Sequence, residues 1–175
     1  MRPQTKAIDV IMERVPLANR WVSERWQPAA VEIVEPRAGA PVPRDLVPGT
    51  CETMPADAIG NRWRCKGFEL ELHPTEAEGY FLNITAPEPR IFVMWRMFDD
   101  GRMPPARPVL ATLSYHEASR FMDVSEQVDG APMPPEVAEW TRAFVAEHYK
   151  PEPRRKRKRN DPVGDAAAGK APRNG

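Results

Sequence analysis

The residues best suited to chemistry fall into three groups. The run Arg154-Arg155-Lys156-Arg157-Lys158-Arg159 sets six cations side by side, a pattern that attracts polyanions and releases their counterions on contact. Its functional readings are an arm docking on an acidic protein, a nucleic-acid arm or a contact to anionic lipid. Its structural reading is a solubilising end. No aromatic is interleaved, so bases have no stacking platform and specific nucleic-acid recognition is not expected. The second group is His73, Glu76 and Tyr80 in the segment HPTEAEGY: a base, an acid and a hydroxyl close together, the makings of a general acid–base site. The same residues suit a turn in which Glu76 caps a helix and Tyr80 packs, and no nucleophile accompanies them. The third group, His73, His116, His148, Cys51 and Cys65, contains metal-ligand types. It lacks the CxxC or HxxxH spacing that holds two ligands on one turn. Neither a metal nor another cofactor is expected.

Other chemistry is excluded by pattern. The chain has no GxxxxGK[ST], GxGxxG or GxSxG, and no HxE followed by PCxxC. A recognised glycine-rich phosphate loop, a nucleophile elbow and a zinc deaminase centre are therefore missing. The glycosylation sequon Asn83-Ile84-Thr85 carries no meaning without secretion.

The elements that must position these groups belong to a chain of 175 residues with 41% hydrophobic and 29% charged residues. That supports one folded domain plus an appendage. Its 21 prolines are more than twice the usual share of about 5%, which favours strands, turns and loops over a helical bundle. Residues 1–150 hold 17 Lys/Arg and 22 Asp/Glu, net −5, whereas residues 151–175 hold 8 and 3, net +5. The chain therefore divides into an acidic α+β domain over 1–150 and a disordered basic tail over 151–175, which carries almost no large apolar side chain. No apolar stretch is long enough to span a membrane. The first residues lack the apolar run of a signal peptide, so a cytoplasmic location with both Cys51 and Cys65 as free thiols is expected.

Period-two patterning predicts a strand over 6–15, with Ile8, Val10 and Met12 on one face. Two extended pieces follow at 20–26 and 29–35, parted by Pro28 at an edge or bend. Residues 36–60, rich in proline and glycine, read as a long surface loop. In the strand 62–72, Trp63 and Cys65 share one parity while Phe68, Leu70 and Leu72 share the other. A β-bulge at Gly67 would put all five on one face, with Cys65 in the core beside Trp63. Residues 75–82 form a short helix or turn, 90–98 a strand covered on both faces, and 109–113 its partner. Ser114 and Glu117 match a capping box that opens a helix. Residues 123–133 read as a linker. A second helix begins at Pro134-Pro135-Glu136, with the stripe Val137, Trp140, Thr141, Phe144. The fold class is thus α+β: a twisted, mainly antiparallel sheet with two short helices. Trp21, Trp26, Trp63, Trp95 and Trp140 read as core or rim packing, and any that prove exposed would mark a protein-binding face.

Four segments, ERVPLANRWV (13–22), FELELHPTEAEGY (68–80), RPVLAT running into YHEA (107–118), and PMPPEVAEW (132–140), together with the basic end, resemble a proteobacterial family of domains of unknown function. Its members are typically encoded in formate dehydrogenase gene clusters. The resemblance implies an accessory protein, read here as non-enzymatic, that docks on a formate dehydrogenase subunit or maturation factor during assembly of that molybdenum enzyme; the charge of Arg154–Arg159 makes that run the candidate partner-binding arm. The alternatives are a molybdenum-cofactor or nucleotide-binding protein of cofactor biosynthesis, and a polyanion-binding module acting through the tail. Against a guanylyltransferase activity, residues 1–20 contain no glycine from which to build its phosphate loop.

Overall fold

The computed structural model describes residues 3–35, 50–55 and 61–151. Among the described residues two antiparallel sheets form, rather than the single sheet of the sequence reading. The first is ordered β2-β1-β4-β3, from β1 (Gln4–Pro16), β2 (Glu24–Ile33), β3 (Thr50–Thr53) and β4 (Arg62–Leu72). The second is ordered β6-β5-β7, from β5 (Arg90–Met97), β6 (Ala106–Thr112) and β7 (Gln127–Pro132). β2 lies against β7 and β4 against β6, so the sheets face each other. Helix α1 (Ala77–Ile84), entered through a 3-10 turn at Pro74–Glu76, packs on α2 (Tyr115–Asp123) and α3 (Pro135–His148). The α+β class and the antiparallel pairing agree with the sequence reading. The segment read as helix or turn at 75–82 is the 3-10 turn followed by α1, so the described residues hold three α-helices rather than two.

The bulge at Gly67 is present as expected. Phe68 pairs with Ile8 and Cys65 with Val10, leaving Lys66 and Gly67 opposite Asp9 alone, and Gly67 adopts φ 90°. A side chain at that φ would be strained, which is why glycine stands there. Trp63, Cys65, Phe68, Leu70 and Leu72 consequently all enter the core, while Glu69 and Glu71 face water. Pro28 sits in the edge strand β2, where the register slips between Ala30 and Pro28. Its missing N–H thus costs no central ladder bond. On the outer face of the first sheet, Arg64 bridges Asp9 and Glu32, Arg62 pairs with Glu13, and Lys66 with Glu52.

Three further expectations are corrected. The stretch 36–60 contains strand β3, and Cys51 and Cys65 are not free thiols. The β3–β4 register sets Cys51 opposite Cys65 with Cα atoms 4.0 Å apart, and their sulfurs are bonded. Directly opposed residues on adjacent antiparallel strands bring their Cβ atoms within reach of such a bond. Cys65 is fully buried in the core cluster with Trp63, as read, but as half of a disulfide. Residues 123–133 are not all linker, because β7 pairs along the free edge of β5 from Arg90↔Pro132 to Trp95↔Gln127. Asp129, Gly130 and Pro132 are poor strand formers, so pairing with β5 overrides local preference. The tail run Arg154–Arg159, and residues 36–49 and 56–60, lie outside the described residues.

Candidate functional site

The 3-10 turn and α1 bring His73, Glu76 and Tyr80 into one short stretch, but their functional groups diverge. The His73 backbone N–H donates to the Tyr80 hydroxyl (3.1 Å), which donates to the Glu71 carbonyl (3.3 Å). Tyr80 is 1% exposed and meets Phe144 edge-on, and burial pushes its hydroxyl up to about 12. The His73 imidazole instead faces the Glu71 carboxylate, Nε2 to Oε2 2.8 Å, in a half-exposed pair. Glu76 turns towards α2, accepting from Ser114 Oγ (2.6 Å) and from Arg120 Nη2 (2.9 Å). Burial acts to raise the Glu76 carboxyl, but the hydrogen bonds from Ser114 and Arg120 and the Arg120 charge outweigh it and hold it below its ordinary 4.5.

Around Glu76 the polar groups of α1 and α2 form one clasp. Ser114 is the N-cap of α2, its Oγ accepting from the Glu117 N–H (3.2 Å). The return half of the capping box runs through Thr112, whose hydroxyl accepts from the Ser114 N–H (3.0 Å) and donates to the Glu117 carboxylate. Gly79 leaves room for this serine, since a Cβ there would lie 2.3 Å from Ser114 Oγ. One turn later the buried Asn83 donates to the carbonyls of Arg90 (2.7 Å) and Leu113 (2.9 Å) and accepts from the Arg90 N–H (3.0 Å). It thereby ties α1 to the start of β5 and the end of β6. The arrangement fastens helix ends to strand ends. It holds Glu76 ionised and paired, with His73 and Tyr80 bonded elsewhere.

Both titrations have consequences for stability. A carboxyl lowered by folding stabilises above its unfolded value and loses that contribution as pH falls through the folded value. A hydroxyl raised by folding stabilises below its unfolded value of 10.0 and loses the contribution as pH rises through about 12. The unfolding midpoint should therefore decline below pH 4.5 and again above pH 10. In Glu76→Gln the acid decline should be shallower, and in Tyr80→Phe the alkaline one. Thermal melts across pH check this, and an acid limb as steep in Glu76→Gln as in the parent would contradict the role given to Glu76.

The tryptophans divide sharply. Trp26, Trp63 and Trp95 are each 7% exposed, and Trp140 lies against the core with its Nε1 donating to Gln4 (3.0 Å). Trp21 is 82% exposed. It stands at the tip of the β1–β2 hairpin beside Val22 (50%) and Leu17 (38%). The tip is ordered by its own bonds: Leu17 N–H to the Ser23 carbonyl (2.9 Å), Trp21 N–H to Asn19 Oδ1 (2.9 Å), and the Arg20 guanidinium 4.9 Å from the Trp21 ring centre. Its stem is fixed to the body. Trp26 packs on Trp63 with centroids 5.2 Å apart, and Arg14 lies over both rings while pairing with Glu24. The sequence reading extended strand 20–26 through Trp21 and missed this turn, for which the side-chain turn at Asn19 was the available signal.

Among the described residues no group of three or more His, Cys, Asp or Glu is placed to hold a metal ion, and no helix is long and apolar enough to cross a membrane. Residues 7–158 match the family model described as protein of unknown function (DUF3305), and the chain belongs to that family. Comparison with curated proteins and with solved structures finds no match.

Proposed function

We propose that this protein acts by docking, as an accessory protein in the assembly or maturation of a molybdenum-dependent formate dehydrogenase. One observation carries the docking: an ordered hairpin holds Trp21 82% exposed beside Val22 and Leu17. Exposed apolar surface is costly to keep in water and, where rigidly displayed, marks a contact surface. Tryptophan is among the residues that most often dominate binding energy. The identity of the partner rests on the family resemblance and its formate dehydrogenase gene neighbourhood. The basic run Arg154–Arg159 is proposed as a second, electrostatic contact.

The test is complementation of a gene deletion in host cells, reading formate-dependent dye reduction with protein abundance in parallel. Trp21→Ser should reduce activity without lowering abundance, because truncating an anchor of this kind costs about 2 kcal/mol or more, roughly a 30-fold loss of affinity. A chain ending at residue 150 should also fall short, and His73→Ala should complement fully. Loss of activity in a folded His73→Ala protein, by the roughly 10²–10⁴-fold of general acid–base catalysis, would replace docking by chemistry. A deletion with no effect on formate oxidation would remove the formate dehydrogenase partner.

A further inference from the structure

The hairpin tip also carries information about the surface that receives it. We infer that Trp21 enters an apolar pocket whose rim carries carboxylates, on a folded protein partner. This rests on the docking reading and adds the chemistry of the partner.

The small size of the tip argues for a pocket. A tryptophan buries about 150–250 Å², and with Leu17 and Val22 the tip falls well short of the ~800 Å² that each side of a standard interface contributes. A patch this small binds usefully only if its anchor is surrounded, so that nearly all of its surface leaves water. The tip is also built to enter a pocket at low entropic cost. Asn19 fixes the Trp21 backbone, Arg20 lies on its ring, and the stem is held by Arg14, Trp26 and Trp63. Such pre-organisation lowers the ordering cost of association.

The unpaired cations at the tip argue for an acidic rim. Arg14 is matched by Glu24. Among the described residues Arg20 and Arg25 have no carboxylate partner, and Arg25 is exposed at the base of the loop. Seating Trp21 strips water from these guanidinium groups. That is unfavourable unless the receiving surface supplies acceptors, and the planar five-donor guanidinium is best matched by carboxylates. An anionic bilayer offers the same charge, but a flat surface also meets the acidic body, residues 1–150 at net −5, and the tail's +5 only offsets that, leaving the whole chain at net zero. A pocket admits the tip alone.

The experiment replaces Trp21 by a photo-crosslinking phenylalanine analogue in the full chain, irradiates host cells, and maps the cross-linked peptide by mass spectrometry. The expected product is a single protein joined at an apolar site flanked by Asp or Glu. Arg20→Glu with Arg25→Glu should cut the yield at least about 10-fold, and Lys at the mapped acids should restore it. A cross-link to another protein at such a site supports this inference while removing the formate dehydrogenase reading. A cross-link to formate dehydrogenase at a site without acids overturns this inference and keeps that reading. No cross-link above that of an exposed control position, or binding of the purified protein to phosphatidylglycerol-containing vesicles that depends on Trp21, also overturns it.

Discussion

Replacing Asn83 by alanine should lower the stability of the domain by about 3 kcal/mol, although the residue belongs to no catalytic pattern and lies in a helix of only eight residues. Asn83 is 2% exposed, and its amide satisfies three backbone groups: the Arg90 N–H, the Arg90 carbonyl and the Leu113 carbonyl. Alanine leaves all three without that partner. Each buried orphan costs about 1–3 kcal/mol, the lower figure applying where water can reach, as at the half-buried Arg90. For a domain of this size the loss corresponds to roughly 6–12 °C in melting temperature. Asn83→Asp should be worse at neutral pH. It keeps the acceptor for Arg90 N–H but sets an anionic oxygen against two carbonyl oxygens. Calorimetry of both variants decides the matter, and a shift below about 1 kcal/mol in Asn83→Ala would mean that α1 is not anchored through this amide. The same burial bars Asn83 from serving as a glycan acceptor in the folded protein, despite its sequon.

Much of the scaffold was legible in the residues because local signals and tertiary demands coincide. The parity switch across Gly67 could be resolved only by one extra residue, and the structure places that residue there with positive φ. Ser114 and Glu117 announce a helix start, and the N-cap bond is made. What escaped depends on partners distant in the chain. β3 and β7 are edge strands of four and six residues whose local preference is weak. Nothing in the spacing of Cys51 and Cys65 reveals that they stand opposite each other on paired strands. The acid–base trio failed to assemble for a related reason. Sequence proximity placed His73, Glu76 and Tyr80 together, but Glu76 finds its partners 38 and 44 residues away on α2. The exposure of Trp21 was equally hidden, because composition favours burying an aromatic and only the turn at Asn19 lifts it clear.

Gly79→Ala should destabilise the protein by about 3 kcal/mol, against the direction that helix propensity predicts. Alanine inside a helix is ordinarily favoured over glycine by about 1 kcal/mol, and Gly79 lies within α1. The space decides otherwise. The added Cβ would sit 2.3 Å from Ser114 Oγ, 3.2 Å from Ser114 Cβ and 3.4 Å from the His116 nitrogen. Ser114 is fully buried, and its hydroxyl is committed on both sides, donating to Glu76 and capping Glu117. Relief requires the serine to rotate, which breaks the cap and frees a carboxylate, or α1 to move off α2, which opens the packing between them. Either route costs more than the propensity gain returns. A double-mutant cycle isolates the contact. Ser114→Ala alone should cost about 2 kcal/mol through the lost cap and the lost donor to Glu76. In the pair Gly79→Ala with Ser114→Ala the 2.3 Å clash is gone, and the 3.2 Å approach between Cβ atoms and the 3.4 Å contact with the His116 nitrogen remain. The double variant should therefore be more stable than the sum of the single losses by about 1–2 kcal/mol, within the roughly 0.5–3 kcal/mol found for residues in direct contact. Additive losses would show that the two sites do not touch. A neutral or stabilising Gly79→Ala would show that α1 and α2 stand farther apart than the clasp of Glu76, Ser114 and Arg120 requires.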